Sequence, residues 1–112
     1  MPERASVLPG TLDLLILKAL SLGAQHGYGV LLRVEQITGQ ALLIEQGALY
    51  PALYRLEHQG AIESEWGVSD NNRRAKFYQL TRAGKKQVAR ETRDWEQAQA
   101  ILARFLAPDE AS

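Results

Sequence analysis

The chain has 112 residues, of which 46% are hydrophobic and 23% are charged, and it contains no cysteine. This is the composition of a soluble globular domain of modest size, and the lack of cysteine excludes disulfides, thiolate metal sites and thiol nucleophiles. The formal net charge is zero, which by itself disfavours a nucleic-acid partner, because basic charge drives phosphate binding. Residues 12–22 form too short an apolar run to span a bilayer, and the N-terminus lacks the pattern of a signal peptide. We therefore expect a cytoplasmic protein without a membrane partner.

Two helices are predicted in the first third of the chain. After Pro9 and Gly10, Thr11 is positioned to cap the apolar run LDLLILKALSLG, and Gly23 ends it. A helix that is apolar almost all round is buried on more than one side. Following the turn AQHG, the stretch YGVLLRVEQITG has hydrophobic residues at helical spacing: Val30, Leu31, Val34 and Ile37. This spacing predicts a second, half-buried helix.

A third helix is predicted from about residue 46 to 59, in the stretch EQGALYPALYRLEHQGAI, with Gly60 at its C-terminal end. A projection at about 100° per residue places four apolar side chains on a core-facing side: Leu49, Ala52, Leu53 and Leu56. The opposite side has Gly47, Pro51, Tyr54, Arg55 and His58, with Tyr50 at its flank. This outer face has no acid at its centre, and small residues at its start let backbone N–H groups approach an anion.

The period then changes from helical to alternating. AIESEWGV and AKFYQLT predict two strands of a hairpin, and SDNNRR between them supplies a polar, basic tip. Thr81 is positioned to cap a last helix that runs from about residue 82 to 106 and is stopped by Pro108. Its apolar stripe is narrow and long, which is typical of a helix that pairs with another helix.

Three helices followed by a hairpin are the order of a winged helix-turn-helix, in which the third helix enters the DNA major groove and the hairpin, or wing, flanks it. The fold class is therefore α+β, mostly α. We expect a DNA-binding domain over residues 8–81 and a dimerisation helix over residues 82–107. The DNA-binding residues predicted on the third helix and wing are Gln46, Ala48, Tyr50, Tyr54, Arg55, Arg73, Arg74 and Lys76.

The motif LYPALYRLE, together with HGYG, the wing segment NNRRAKFYQLTRAG and the single C-terminal helix, resembles the PadR family of bacterial transcriptional regulators, in its short subfamily. The resemblance covers about residues 8–106. It implies a homodimer that joins through the last and first helices, binds a two-fold operator and usually represses. It also implies DNA contact by Tyr50 and by basic residues of the wing. Gln46 departs from the Ser, Thr or Pro more usual before the first helical glycine.

Competing interpretations exist for several of these residues. Tyr50 and Tyr54 taken alone are more often packing residues, and the resemblance favours DNA contact for Tyr50 more than for Tyr54. Basic residues crowd into residues 73–93, although those on the last helix are more typical of a solvated face. The rival function is a winged-helix module for protein–protein contact, which an acidic or hydrophobic third-helix face would favour.

Neither catalysis nor a cofactor is indicated by the sequence. His26 and His58 are isolated from other metal ligands, and there is no phosphate-binding glycine loop and no nucleophile motif. We therefore expect no metal, no cofactor and no enzymatic activity.

The last helix is predicted to carry the dimer interface. The residues assigned to it are Val88, Trp95, Ala98, Leu102 and Phe105, with Leu15 on the first helix. Trp95 is most simply a large packing residue. Its polar neighbours leave open a second role, in which a small aromatic effector stacks on it and nearby acids favour a cation.

Overall fold

The computed structural model describes residues 5–6 and 11–108, which contain four helices and five strands. The helices are α1 (Leu12–Ser21), α2 (Gly27–Ile37), α3 (Gln46–His58) and α4 (Arg82–Leu106). The predicted order of three helices, a hairpin and a long last helix is confirmed, and α4 has the predicted bounds. Residues 8–10 of the predicted DNA-binding domain lie outside the described residues. No described helix is both long and apolar enough to cross a membrane.

The wing is a hairpin of β4 (Ile62–Val68) and β5 (Arg74–Leu80), which pair antiparallel with Val68 opposite Arg74. Its tip is closed by the Ser69 N–H, which donates to the Arg73 carbonyl at 2.8 Å. Asn72 adopts a positive φ of 60° there, a conformation that asparagine tolerates better than most residues. The polar tip predicted from SDNNRR is therefore confirmed.

Short strands also lie where the sequence predicted a turn and a linker, and one of them extends the wing. β2 (Gln25–His26) pairs antiparallel with β5 and makes the wing sheet three-stranded, in the order β2-β5-β4. β3 (Leu42–Leu43) pairs parallel with β1 (Ala5–Ser6). A two-residue strand has no detectable alternation, and its partner is far along the chain, so sequence periodicity missed all three short strands.

The hydrophobic core lies between α1, α2, α3 and the base of the wing. The predicted inner face of α3 is confirmed, since Leu49, Ala52, Leu53 and Leu56 are each no more than 1% exposed. α1 is buried around Ile16 and Leu17, in agreement with its nearly continuous apolar sequence. The core holds the inner face of α3 in place, and the outer face of α3 is exposed to solvent.

The base of the wing is joined to α4 by a tight backbone contact. The Thr81 hydroxyl accepts a hydrogen bond from the Gly84 N–H at 3.0 Å and lies 2.6 Å from the Gly60 carbonyl oxygen, to which it donates. A Cβ on Gly84 would lie only 1.9 Å from the Ala61 carbonyl oxygen. α4 therefore starts against the turn that follows α3, and only glycine fits there. Gly84 is the one fully buried residue of α4. Val88 still packs against the core, and the side chains from Arg93 to Leu106 are exposed.

Candidate nucleic-acid interface

The outer face of α3 is open to solvent, as the sequence predicted. Gln46, Gly47 and Ala48 are exposed at its first turn. The residue before them, Glu45, occupies the N-cap position, but its side chain does not cap the helix. Because the first N–H groups of a helix have no intrahelical acceptor, this turn presents backbone donors to solvent. Such donors and the positive end of the helix dipole favour a phosphate.

Tyr50 lies on the start of α2. A Cβ on Gly27 would come within 2.8 Å of the Tyr50 ring, so the absence of a side chain at Gly27 makes room for that ring. His26 caps α2 by accepting the Gly29 N–H on Nδ1 at 3.0 Å. Tyr50 nevertheless remains 49% exposed. Its packing role and its predicted DNA contact are therefore compatible, because one side of the ring is supported and the other faces solvent.

Tyr54 and Arg55 are placed differently from Tyr50. Tyr54 is 73% exposed, and its ring is stacked with that of His58 at a centroid distance of 6.3 Å. Arg55 forms an ion pair with Asp13 of α1, so its guanidinium is directed toward α1. The side chain of Arg55 is still 50% exposed. DNA contact by Arg55 stays a prediction. It requires the guanidinium either to contact a phosphate and Asp13 at the same time or to break its ion pair with Asp13.

The basic side chains of the wing are arranged around Trp66. The Arg74 guanidinium lies 4.6 Å from the centre of the Trp66 ring, and the Lys76 ammonium lies 6.0 Å from it. Both distances are in the range of cation–π interactions. The contact with the Trp66 ring restricts the orientation of the Arg74 side chain more than water alone would. Arg73 is exposed at the tip. Trp66 is 57% exposed, and its part in organising these cations was not identified from the sequence, where it appeared only as a strand residue.

A groove of about 670 Å³ separates the wing from α3 and the start of α2. Its lining combines aromatic rings with cations: Tyr28, Tyr50, Trp66, Tyr78, Arg73, Arg74 and Lys76, with Asp70 as the one acid. Burial raises the pKa of the Tyr78 hydroxyl above its usual value, and the nearby Glu57 carboxylate and Tyr50 add to the rise. Tyr78 therefore stays neutral at physiological pH. The cations suit the phosphates of a polyanion, and the tyrosine hydroxyl groups suit polar base edges.

Four of the six residues predicted for dimerisation form a second exposed region, and two belong to the edge of the core. Leu15 and Val88 are half-buried and pack against the core, whereas Trp95, Leu102 and Phe105 are 44%, 54% and 84% exposed. Ala98 is also exposed. A cleft of about 230 Å³ lies between α1 and α4, lined by Thr11, Leu14, Glu91, Asp94, Trp95 and Ala98. The structure thus places Trp95 at a cleft with two acids, and it groups no three potential metal ligands within the residues it describes.

Comparison with known proteins connects this geometry to a family. The PadR-like family of transcriptional regulators matches residues 16–90. An uncharacterised protein of Lysinibacillus sphaericus is 29% identical over 104 residues, which are 92% of this chain and 94% of that protein.

Solved structures agree with this assignment. A transcriptional regulator from Clostridium thermocellum is similar with a TM-score of 0.78 and 29% identity, over 87% of this chain and 94% of that one. A PadR family transcription regulator from Clostridium difficile has a TM-score of 0.75 and 27% identity, over 88% and 100% of the two chains. The residues matched by the family model include α2, α3 and the wing, and this chain belongs to the PadR-like family of transcriptional regulators.

Proposed function

We propose that this protein is a homodimeric repressor that binds an inverted-repeat operator. The observation that carries the proposal is the groove between α3 and the wing, where Arg73, Arg74 and Lys76 line the same space as Tyr50. α3 supplies exposed donors and aromatic side chains for base edges, and the wing supplies cations for phosphates. We infer a cytoplasmic location from this role, and the role requires no catalytic step and no cofactor.

Dimerisation is the second part of the proposal. The distal half of α4 exposes Leu102, Phe105 and Leu106, the last of them 73% exposed. Aligned apolar side chains at helical spacing are normally covered by another helix. A second copy would cover them with its own α4 and α1, and residues 82–107 are then the dimerisation element.

The rival module for protein–protein contact lacks the surface it needs. An acidic or broadly hydrophobic α3 face would favour a protein partner, but the groove beside α3 is lined by three cations and one acid. This charge balance favours a polyanion over a protein surface of mixed charge.

Selection of duplexes from a random-sequence pool tests the proposed function. We expect the protein to enrich an inverted repeat whose half-sites are about 10 base pairs apart, or a multiple of that spacing, since a two-fold dimer presents two equal recognition helices. Sedimentation of the same complex would give two chains per duplex. Enrichment of no common sequence, or of a sequence without a dyad, contradicts the proposal.

A regulatory ligand is a second candidate function, and the cleft at Trp95 favours it. Glu91 and Asp94 line that cleft together with the indole ring. An aromatic ring beside carboxylates suits a planar aromatic cation. A ligand that prefers one relative placement of the two α4 helices would change the spacing of the recognition helices and the affinity for the operator.

A further inference from the structure

The carboxylate of Glu57, near the C-terminal end of α3, links the recognition helix to both strands of the wing hairpin. Its Oε2 accepts a hydrogen bond from the Ser64 hydroxyl of β4 at 2.5 Å. Its Oε1 lies 4.0 Å from the Lys76 ammonium of β5. Glu57 therefore contacts one side chain from each strand while it belongs to the helix that faces the DNA.

The exposure of Lys76 and Glu57 indicates that their ion pair contributes little to the stability of the fold. The side chains of Lys76 and Glu57 are 42% and 32% exposed, and ion pairs this open to water contribute little to folding. α3 is already fixed by its buried leucines, such as Leu49 and Leu53. The contacts of Glu57 are therefore not needed to hold α3 in the fold.

The distal half of the hairpin is the part of the wing that the core does not hold. Beyond Ser64 the side chains of Glu65, Trp66 and Val68 are exposed, whereas Ile62 at the base is 1% exposed. The contact of Glu57 with Ser64 lies between this base and the cations around Trp66, and its contact with Lys76 reaches one of those cations. A shift of the wing at Ser64 would carry Arg74 and Lys76 toward or away from Tyr50 across the groove.

We propose that Glu57 is a positioning residue, which fixes the distance between the recognition face of α3 and the cations of the wing through its bond to Ser64. This inference rests on the proposed function. A duplex is bound specifically when base edges on α3 and phosphates on the wing are contacted at the same time, so a fixed distance raises the affinity for the cognate sequence. Glu57 touches no DNA in this role, and its charge opposes non-specific binding to phosphates.

Three substitutions separate position from charge. Ser64→Ala removes the hydrogen bond and leaves the charge unchanged, Glu57→Ala removes both, and Glu57→Gln keeps an oxygen acceptor for the Ser64 hydroxyl but removes the charge. The probes are a duplex that the wild-type protein selects from a random pool and a scrambled duplex of the same length and composition. The measured quantity is the ratio of the two affinities, together with the salt dependence of each.

We expect Ser64→Ala and Glu57→Ala to lower the ratio about tenfold, because the wing would then have to be ordered against α3 when the selected duplex binds. Glu57→Gln should keep most of the ratio while both duplexes bind more tightly, because a repelling charge is gone. The salt dependence on the selected duplex should become shallower in Ser64→Ala, since fewer phosphates are contacted at once.

A matched control lies on the opposite face of the same sheet. Gln79 donates a hydrogen bond to Glu63 at 2.9 Å between β5 and β4, and this bond does not reach α3. Gln79→Ala should leave the ratio and the salt dependence unchanged. Thermal unfolding of every variant identifies any loss that comes from unfolding rather than from position.

Two outcomes overturn the role of Glu57. One is a folded Ser64→Ala protein with the wild-type ratio, and the other is a Glu57→Gln protein that loses as much of the ratio as Glu57→Ala. Failure of the proposed function is distinguishable, because the wild-type protein would then select no common sequence in the first step.

Discussion

Two regions of the molecule are exposed: the groove face, which is formed by α3 and the wing, and the apolar stripe of α4. The side chains of these two regions are supported differently. On the groove face Tyr50 lies on Gly27, and Arg74 lies over Trp66. On α4 the side chains of Leu102 and Phe105 are more than half exposed and project from the core. Supported aromatic and basic groups suit a rigid polyanion, whereas unsupported apolar groups suit another apolar surface. From this difference we propose that the groove face is complete within a single chain and that the α4 stripe is covered by a second copy.

The largest expected effect comes from a charge on the α4 stripe. Leu102→Glu should raise the dimer dissociation constant at least about a hundredfold, because two carboxylates would enter an apolar interface. Gln97→Glu adds the same charge to the opposite side of α4 and should leave the protein dimeric. Sedimentation velocity over a range of concentrations measures both variants. A Leu102→Glu protein that remains as tightly dimeric as wild type would mean that the stripe is not the interface.

The second prediction concerns the joint at which the two regions meet. Gly84→Ala should lower the free energy of unfolding by about 1–3 kcal/mol, because its Cβ would overlap the Ala61 carbonyl oxygen and force α4 to shift. Gly47 provides the control, since it lies in a helix with open space around its Cβ position. Gly47→Ala should not destabilise the protein, because alanine is the better helix former. Chemical denaturation measures both, and equal stability of the Gly84→Ala and wild-type proteins would show that the joint relaxes easily.

The third prediction separates the two halves of the groove face. Arg73→Ala should weaken binding to all duplexes alike and lower the salt dependence by about one unit if one phosphate contact is lost. Gln46→Ala should cost about 1–3 kcal/mol, mostly on the selected duplex. Titrations of selected and scrambled duplexes at several salt concentrations measure both effects. The reverse pattern would mean that α3 holds phosphates and the wing reads bases.

Local patterns in the sequence were enough to predict the helices, the inner face of α3 and the cap at Thr81, because each depends on residues within a few positions of one another. The contacts that organise the site are of another kind. Arg55 reaches Asp13, and Glu57 reaches Ser64 and Lys76, each through the packing of separate elements. Periodicity carries no information about such partners. The sequence analysis therefore predicted DNA contact by Arg55 without its ion pair to Asp13, and it assigned no function to Glu57.

The smallest expected effect concerns the cleft beside Trp95, where a ligand would give the α4 region a function besides dimerisation. If the cleft binds a planar aromatic cation, then the indole of Trp95 should be quenched on titration while Trp66, on the wing, serves as an internal reference. Trp95→Phe keeps an aromatic ring and should bind more weakly, since indole is the better cation–π partner. Trp95→Ala should bind still more weakly, because the cation–π contact is then absent.

The control ligand for this titration is a neutral aromatic compound of the same size. It should bind more weakly than the cation if Glu91 and Asp94 contribute through their charge. The dimeric state of each variant has to be checked by sedimentation, because Trp95 also lies on the stripe. Quenching confined to Trp66, or unchanged affinity in a dimeric Trp95→Ala protein, would leave Trp95 with a packing role alone. Quenching of Trp95 together with weaker operator binding would instead connect the α4 interface to the groove face.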